Sequence, residues 1–235
     1  MTQDRPKPLL EVGGRPIVDW ILDRISEVEE VEEAHLVTNA KFAPAFRAWA
    51  PPGVVVHDDG TTSEDDRLGA IGDLAFVGLG DDDLLVIAGD NLFDFSLREY
   101  EEFWRAHPGA SCVAVHDVGE RELARKYGIV DVDADDRITA FVEKPEDPPS
   151  TLAATATYFF AREHVRLVDT YLADGNPADQ PGNFIAWLHA REPVYAYRFE
   201  GAWWDIGDRE QLLVADNEMR RRRGLSERAE YSLQS

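Results

Sequence analysis

The chain has 235 residues, 44% of them hydrophobic, which is enough for one large α/β domain or two small ones. A formal net charge of -22 and a pI near 4.5 argue against nucleic acid or an anionic membrane as the main partner. No apolar run approaches the roughly 20 residues of a membrane-spanning helix. The opening Met-Thr-Gln-Asp-Arg-Pro-Lys-Pro has no apolar stretch of the signal-peptide kind, so the cytosol is the expected compartment. The single Cys112 cannot form an internal disulfide and, in its Val/Ala setting, reads as a small buried hydrophobe.

Along the chain, Ile17, Trp20, Ile21, Ile25 and Val28 fall on one stripe of a helix predicted over 16–31, with Pro16 in its first turn. A strand is expected at 34–38, a helix at 42–49, a strand at 54–57 and a helix at 65–79. The run Asp-Leu-Leu-Val-Ile-Ala at 83–88 reads as a buried strand ending at Gly89-Asp90-Asn91. Ser96, with Glu99 three residues on, has the form of a capping box for a helix running to His107, and a strand follows at 111–116. Alternating strands and helices imply an α/β fold, Rossmann-like and three-layered, around a mostly parallel mixed sheet. A hairpin at 128–132 and 138–143 turns around Asp135-Asp136. Strands at 155–160 and 194–199 alternate with helices at 162–173, 183–190 and 208–222, the last capped by Asp208. Residues 1–219 read as one domain, and 220–235 as the end of a fraying helix and a tail with a solvated arginine face.

Four groups stand out chemically. Asp90 directly follows a buried strand, at the sheet edge where open α/β folds bind ligands, and Gly89 before it leaves room for a substrate to approach. A turn cap is an equal reading of Asp90. Asp205, in Gly-Ala-Trp-Trp-Asp-Ile-Gly-Asp, is a carboxylate at the edge of an aromatic region that needs a partner, and a divalent cation is one candidate. Lys7 stands between two prolines, which predict an extended segment that stiffens the backbone under a cation, although taken alone an exposed loop lysine is the stronger reading. Lys144 precedes a proline at a strand end. Lysine is scarce, with Lys7, Lys41, Lys126 and Lys144 the only four. Two proline-fixed lysines and two strand-edge aspartates together fit phosphoryl or nucleotidyl transfer.

The segments Arg5-Pro-Lys-Pro-Leu-Leu, Gly14-Arg-Pro-Ile, Gly89-Asp-Asn-Leu-Phe, Lys126-Tyr-Gly-Ile-Val, Glu143-Lys-Pro and Trp204-Asp-Ile-Gly occur in the order seen in sugar nucleotidyltransferases. From about residue 2 to about 218 the chain resembles that family, and most of all its glucose-1-phosphate thymidylyltransferase branch. The resemblance implies transfer of a nucleotidyl group from a nucleoside triphosphate to a sugar-1-phosphate, with pyrophosphate released and Mg²⁺ between the substrates. It also implies that Asp90 and Asp205 hold the metal, that Lys7 lies beside the phosphates and that Lys144 holds the sugar phosphate. Glu143 would meet sugar hydroxyls, Tyr127 and Gly128 would line the sugar pocket, and Asn91 would contact substrate. Gly69, in Leu-Gly-Ala, matches a turn that packs on the nucleobase. No nucleic acid or membrane partner is implied, and a homo-oligomer is compatible with the pattern.

Three departures stand against this likeness. The family opens with a strand and a Gly-rich loop ending in Gly-Thr-Arg-Leu, whereas Met1-Thr2 follows the point where that loop belongs. The expectation is a chain short of its first strand and weak in catalysis by itself. Glu11 stands where proline usually follows Leu-Leu, and Gly182-Asn-Phe-Ile replaces a Gly-Glu-Leu-Glu stretch that supplies a sugar-binding carboxylate. Competing readings are a cytidylyltransferase for a non-sugar phosphate, a non-catalytic module of the same fold, and a metal-dependent glycosyltransferase. Asp81-Asp82-Asp83 has Asp-X-Asp spacing but precedes its strand, so it reads as a solvated turn.

Overall fold

The apolar runs alternate their side chains between two helical layers, and that alternation builds the centre of the molecule. A computed structural model describes residues 5–63 and 65–232. The long strand Leu152–Phe160 organises a six-stranded sheet. One of its edges pairs with Ser111–Asp117, which in turn pairs in parallel with Val194–Arg198. Its other edge takes Gly128–Val132 at the start and Leu84–Ile87 at the end, and Ile138–Glu143 closes the hairpin onto Gly128–Val132. Leu152–Phe160 and Ile138–Glu143 run opposite to the other four strands, so the sheet is mixed.

On one face Val113, Val115, Tyr158, Phe160, Val194 and Ala196 pack against helices Ala70–Val77, Leu167–Ala173 and Pro181–Leu188. On the other, Cys112, Ala114 and Phe159 meet Leu97 and Tyr100 of helix Leu97–Arg105. The expected three-layer α/β fold is therefore present. Burial among these side chains pushes the Cys112 thiol far above its ordinary pKa and leaves it inert. No helix among the described residues is long and apolar enough to cross a membrane.

Strands Ala34–Thr38 and Val54–Asp58 form a separate parallel pair. Helix Ile17–Ile25 spans the two sheets: Val18 packs toward Leu36, while Ile21 and Ile25 pack toward Ile87. Among the described residues Leu84–Ile87 has a ladder partner on one edge only, although Leu84 and Val86 face one helical layer and Leu85 and Ile87 the other. The expectations for Met1 and Thr2 lie outside the described residues.

Several predicted elements change on folding. Lys7–Leu9 is a single 3₁₀ turn rather than an extended segment. Its two bonds run from the Leu9 and Leu10 amides to the carbonyls of Pro6 and Lys7, so the missing N–H of Pro8 costs nothing there. The helix predicted over 16–31 ends at Ile25, and the one predicted over 65–79 is Ala70–Val77. In the second case Asp66 accepts the amides of Thr62 and Ser63, and Gly69 (φ +78°) sets the entry to the helix. The helix predicted over 162–173 divides into Arg162–Val165 and Leu167–Ala173. The acidic 81–83 turn is exposed, as expected, with Asp83 paired to Arg162 and Asp81 to Arg166.

Asp208 caps helix Arg209–Arg222 in a full capping box with Gln211. Beyond that helix the chain folds back, with Asn217 bonded twice to the Arg228 backbone and Tyr231 packed beside Leu10 and Val12. All four arginines of the 220–223 run are tied: Arg220 to the Ser226 carbonyl, Arg221 to Glu218 and Glu227, Arg222 to Asp94 and Glu218, and Arg223 to the Gly13 carbonyl.

One buried acid makes a stability test. Burial, aided by the nearby Asp59, raises the Asp73 carboxyl to about 6, and its Oδ1 has no hydrogen-bond partner. A carboxyl raised on folding takes up a proton as the chain folds. Its ionisation therefore destabilises the fold increasingly from the unfolded value near 4 up to about 6, and fully above that. Asp73→Asn should raise the melting temperature by a few degrees at pH 7.5, with the gain shrinking toward zero near pH 4. An equal gain at both pH values would show that the charge of Asp73 is not its cause.

Candidate active site

The site is built from a two-strand ribbon at the end of the main sheet. Asn91–Phe93 pairs antiparallel with Trp203–Asp205, placing Asn91 opposite Asp205, and the Ile206 amide donates to the Asp90 carbonyl at 3.0 Å. Asp90 and Asp205, 115 positions apart in sequence, thus sit on adjacent backbones. Their carboxylates feel each other: burial first, and then the charge of Asp90, raise the Asp205 carboxyl above its ordinary range, while Lys7 and Lys144 pull it back. Asp90, Lys7 and Lys144, from three other chain segments, are therefore all close enough to act on Asp205.

Lys7 reaches Asp90 directly, with Nζ 3.2 Å from Oδ2 and both side chains about one-third exposed. Its 3₁₀ turn is anchored by Leu9 and Leu10, which are 5% and 1% exposed. Pro8 leans on the backbone of Gly89, where a Cβ would come within 2.9 Å of the proline Cγ. The space that Gly89 was expected to leave for a substrate is used by Pro8, and it brings the Lys7 turn down onto Asp90. Beside this loop, Ala156 holds φ +51° in the irregular part of strand Leu152–Phe160, and its carbonyl accepts the Ala88 amide. A left-handed non-glycine residue there stores strain next to the acid.

Asn91 lies behind Asp90. Only 4% exposed, it donates from Nδ2 to Asp90 Oδ1 at 3.1 Å and accepts the Trp203 indole N–H at 2.7 Å. In this arrangement it orients the carboxylate. Trp203 also packs edge-on against Tyr127, with ring centroids 4.9 Å apart. Sequence reading did not single out Trp203; the one signal was its place two residues before Asp205.

Lys144 and Glu143 end strand Ile138–Glu143. Lys144 takes φ +45° immediately before Pro145, and its amide donates to the Tyr127 carbonyl at 3.0 Å. Because a residue preceding proline favours extended backbone, this is a second strained position at the site. Glu143 is lodged between two glycines: a Cβ on Gly128 or on Gly182 would come within 2.8 Å of its Oε2. Burial raises its carboxyl and Lys144 partly offsets this. Tyr127 is raised likewise by burial and by Asp205, so its phenol stays protonated. Gly182, at the start of the stretch that departs from the family, is thus beside Glu143.

Gly69 belongs to a neighbouring cluster. A Cβ there would come within 2.6 Å of Ala178 O, and the amides of Ala70 and Ile71 donate to Asp179 and Ala178. Its link to the other residues runs through the 178–183 segment that also carries Gly182.

No group of three or more His, Cys, Asp or Glu side chains with metal-binding geometry occurs among the described residues. The Asp90–Asp205 pair suits a small hard cation that keeps most of its ligands as water or phosphate oxygens.

Comparison with known proteins gives the family and the fold. The nucleotidyl transferase family model matches residues 1–222, and the chain belongs to that family. It is a nucleotidyltransferase. The fold is similar to an apo UDP-glucose pyrophosphorylase at 19% identity and TM-score 0.76, covering 93% of this chain and 91% of that one. It is similar to a candidate glucose-1-phosphate thymidylyltransferase from Bacillus anthracis, solved with sucrose, at 20% identity and TM-score 0.75, covering 93% and 88%. A UTP-bound enzyme of the first kind from Acinetobacter baumannii matches at 20% identity and TM-score 0.67, covering 91% and 85%. Similarity to both kinds is nearly equal, so the fold does not favour the thymidylyltransferase branch.

The coupled carboxylates yield a stability prediction. Asp205→Asn should raise the melting temperature in the absence of divalent ions, because it removes a half-buried charge repelled by Asp90. The gain should fade as pH falls below the raised Asp205 value, where the native carboxyl is already neutral. A lower melting temperature at neutral pH would mean that Asp205 is held by favourable bonds instead.

Proposed function

We propose that this chain transfers a nucleotidyl group from a nucleoside triphosphate to a sugar-1-phosphate, with Mg²⁺ held at Asp90 and Asp205. The observation that carries the reading is the convergence of Lys7, Asp90, Asp205 and Lys144 from segments far apart in sequence. Lys7 pairs with Asp90, yet the Asp205 carboxyl stays raised by burial and by Asp90 in spite of Lys7 and Lys144, and a bound divalent cation would relieve that. The bound ion would supply charge neutralisation between the two anionic substrates.

A phosphate oxygen of the sugar-1-phosphate attacks the α-phosphorus, forming a new P–O bond. The bond from the α-phosphorus to the α,β-bridging oxygen breaks, and pyrophosphate leaves with its electron pair. The nucleophile is already anionic, so no general base is required. The protein's task is to hold two anions in line and offset their repulsion. Lys7 would serve the triphosphate side and Lys144 the sugar phosphate, while Glu143, between Gly128 and Gly182, would accept hydrogen bonds from sugar hydroxyls. Tyr127, kept protonated, can donate to the same sugar.

Uridine and thymidine triphosphates with glucose 1-phosphate are the first pairs to test, since UDP-glucose pyrophosphorylases and a candidate thymidylyltransferase share the fold. Pyrophosphate release should require both substrates and Mg²⁺. Lys144→Ala should weaken sugar-phosphate use by about a hundredfold, in line with loss of an electrostatic stabiliser, while nucleotide affinity by calorimetry changes less than about threefold. Equal losses on both sides would make Lys144 structural. No release with any common triphosphate and hexose 1-phosphate would defeat the proposed reaction.

A further inference from the structure

Lys7 does not reach Asp90 through the rigidity of its own turn alone. Two residues after that turn comes a miniature hairpin, Glu11–Val12 paired with Arg15–Pro16, turning through Gly13 and Gly14 at φ +63° and +81°. Positive φ at both central positions is the geometry of a type I′ turn, which glycine adopts at little cost. The hairpin is held from outside. The Gly13 amide donates to Asp216 Oδ1 at 2.8 Å, in the middle of helix Arg209–Arg222. A Cβ on Gly13 would come within 2.8 Å of Met219 Cβ, so the turn lies flat on that helix. The Gly13 carbonyl accepts Arg223, and the Glu11 carbonyl accepts the Tyr231 hydroxyl at 2.6 Å. Leu10, which follows the Lys7 turn, is buried in one cluster with Val12, Leu212 and Ala215.

Asp216 is the unusual member of this set. It is fully buried, yet its Oδ2 accepts no hydrogen bond and lies 3.6 Å from the Arg228 guanidinium of the folded-back tail. A buried carboxylate with incomplete partners is expensive to maintain, and its one good bond goes to the hairpin turn. The helix that carries it starts at Asp208, three residues after Asp205. One rigid element therefore fixes the Asp205 strand at its start and the Lys7 arm at its middle.

We infer that Asp216 is a positioning residue, which acts through the Gly13 amide to hold Lys7 on the Asp90–Asp205 pair. The functional part of this inference rests on the reading that Lys7 offsets phosphate charge. The geometric part does not.

The test uses the whole chain and its four lysines. Asp216→Leu removes the acceptor and keeps the branching at Cγ on a larger side chain, and Asp216→Asn retains a carbonyl oxygen for Gly13. Under limiting acetylation with an N-hydroxysuccinimide ester, followed by mass spectrometry, Lys7 should react several times faster in Asp216→Leu. Lys41, Lys126 and Lys144 should keep their rates, and Asp216→Asn should stay close to the parent chain. An unchanged Lys7 rate overturns the inference. If all four lysines accelerate together, the fold has loosened. The surface variant Arg223→Gln then decides, a Lys7-selective rise supporting the inference and no rise overturning it.

With the most active substrate pair, Asp216→Leu should lower kcat by about tenfold to a hundredfold, as small misplacements near reacting groups do, with KM for the sugar phosphate little changed. That loss should vanish when Lys7 is already alanine, whereas additive losses would show that Asp216 acts elsewhere. If the parent chain releases no pyrophosphate with any pair, the proposed reaction fails, and the labelling alone decides the positioning.

Discussion

The structure depends on two carboxylates kept side by side by backbone pairing. Asn91 stands opposite Asp205 in a ribbon of two three-residue strands, so Asp90 and Asp205 cannot separate without breaking that ribbon. Like charges on neighbouring backbones repel, and partial burial of Asp205 strengthens the effect. The surrounding residues manage this repulsion. Lys7 pairs with Asp90, Asn91 donates to its other oxygen, and Trp203 fixes Asn91.

Strain gathers at the same place. Ala156 and Lys144, two of the three non-glycine residues with positive φ among those described, lie beside the Asp90 loop and at the end of the Glu143 strand. Gly128 and Gly182 leave room for the Phe141 ring and for Glu143 between them, and Gly89 does so for Pro8. These are costs in local stability that a purely structural sheet edge has no reason to carry. In a chain with only four lysines, two of them, Lys7 and Lys144, stand at this edge beside the carboxylates.

Much of the fold could be read from sequence where a signal is continuous and local. The apolar runs at 84–87 and 111–117, the hairpin around Asp135-Asp136 and the Asp208 cap are of this kind. Lys7, Asp90, Asp205 and Lys144 were visible because proline or glycine marks each of them, and the order of motifs supplied the family. What escaped depends on long-range partners. Two- and three-residue strands such as Glu11–Val12 and Trp203–Asp205 have no period to detect. The 3₁₀ turn at Lys7 is hidden by prolines that usually signal extended chain. The return of Arg228 and Tyr231 to the helix and hairpin looks, in sequence, like a polar tail. Asn91 was visible as part of a motif, but its orientation toward Asp90 and Trp203 is a fact of packing.

Binding of Mn²⁺ as a spectroscopic stand-in for Mg²⁺ tests the central claim most directly. Titration of the chain, followed by the electron paramagnetic resonance of the free ion, should reveal one site per molecule in the presence of a nucleoside triphosphate, beyond the binding of the nucleotide alone. Asp90→Asn and Asp205→Asn should each abolish that site, because neither carboxylate holds the ion by itself. Undiminished binding in either variant, or two sites lost one at a time, would contradict a single cation shared by Asp90 and Asp205.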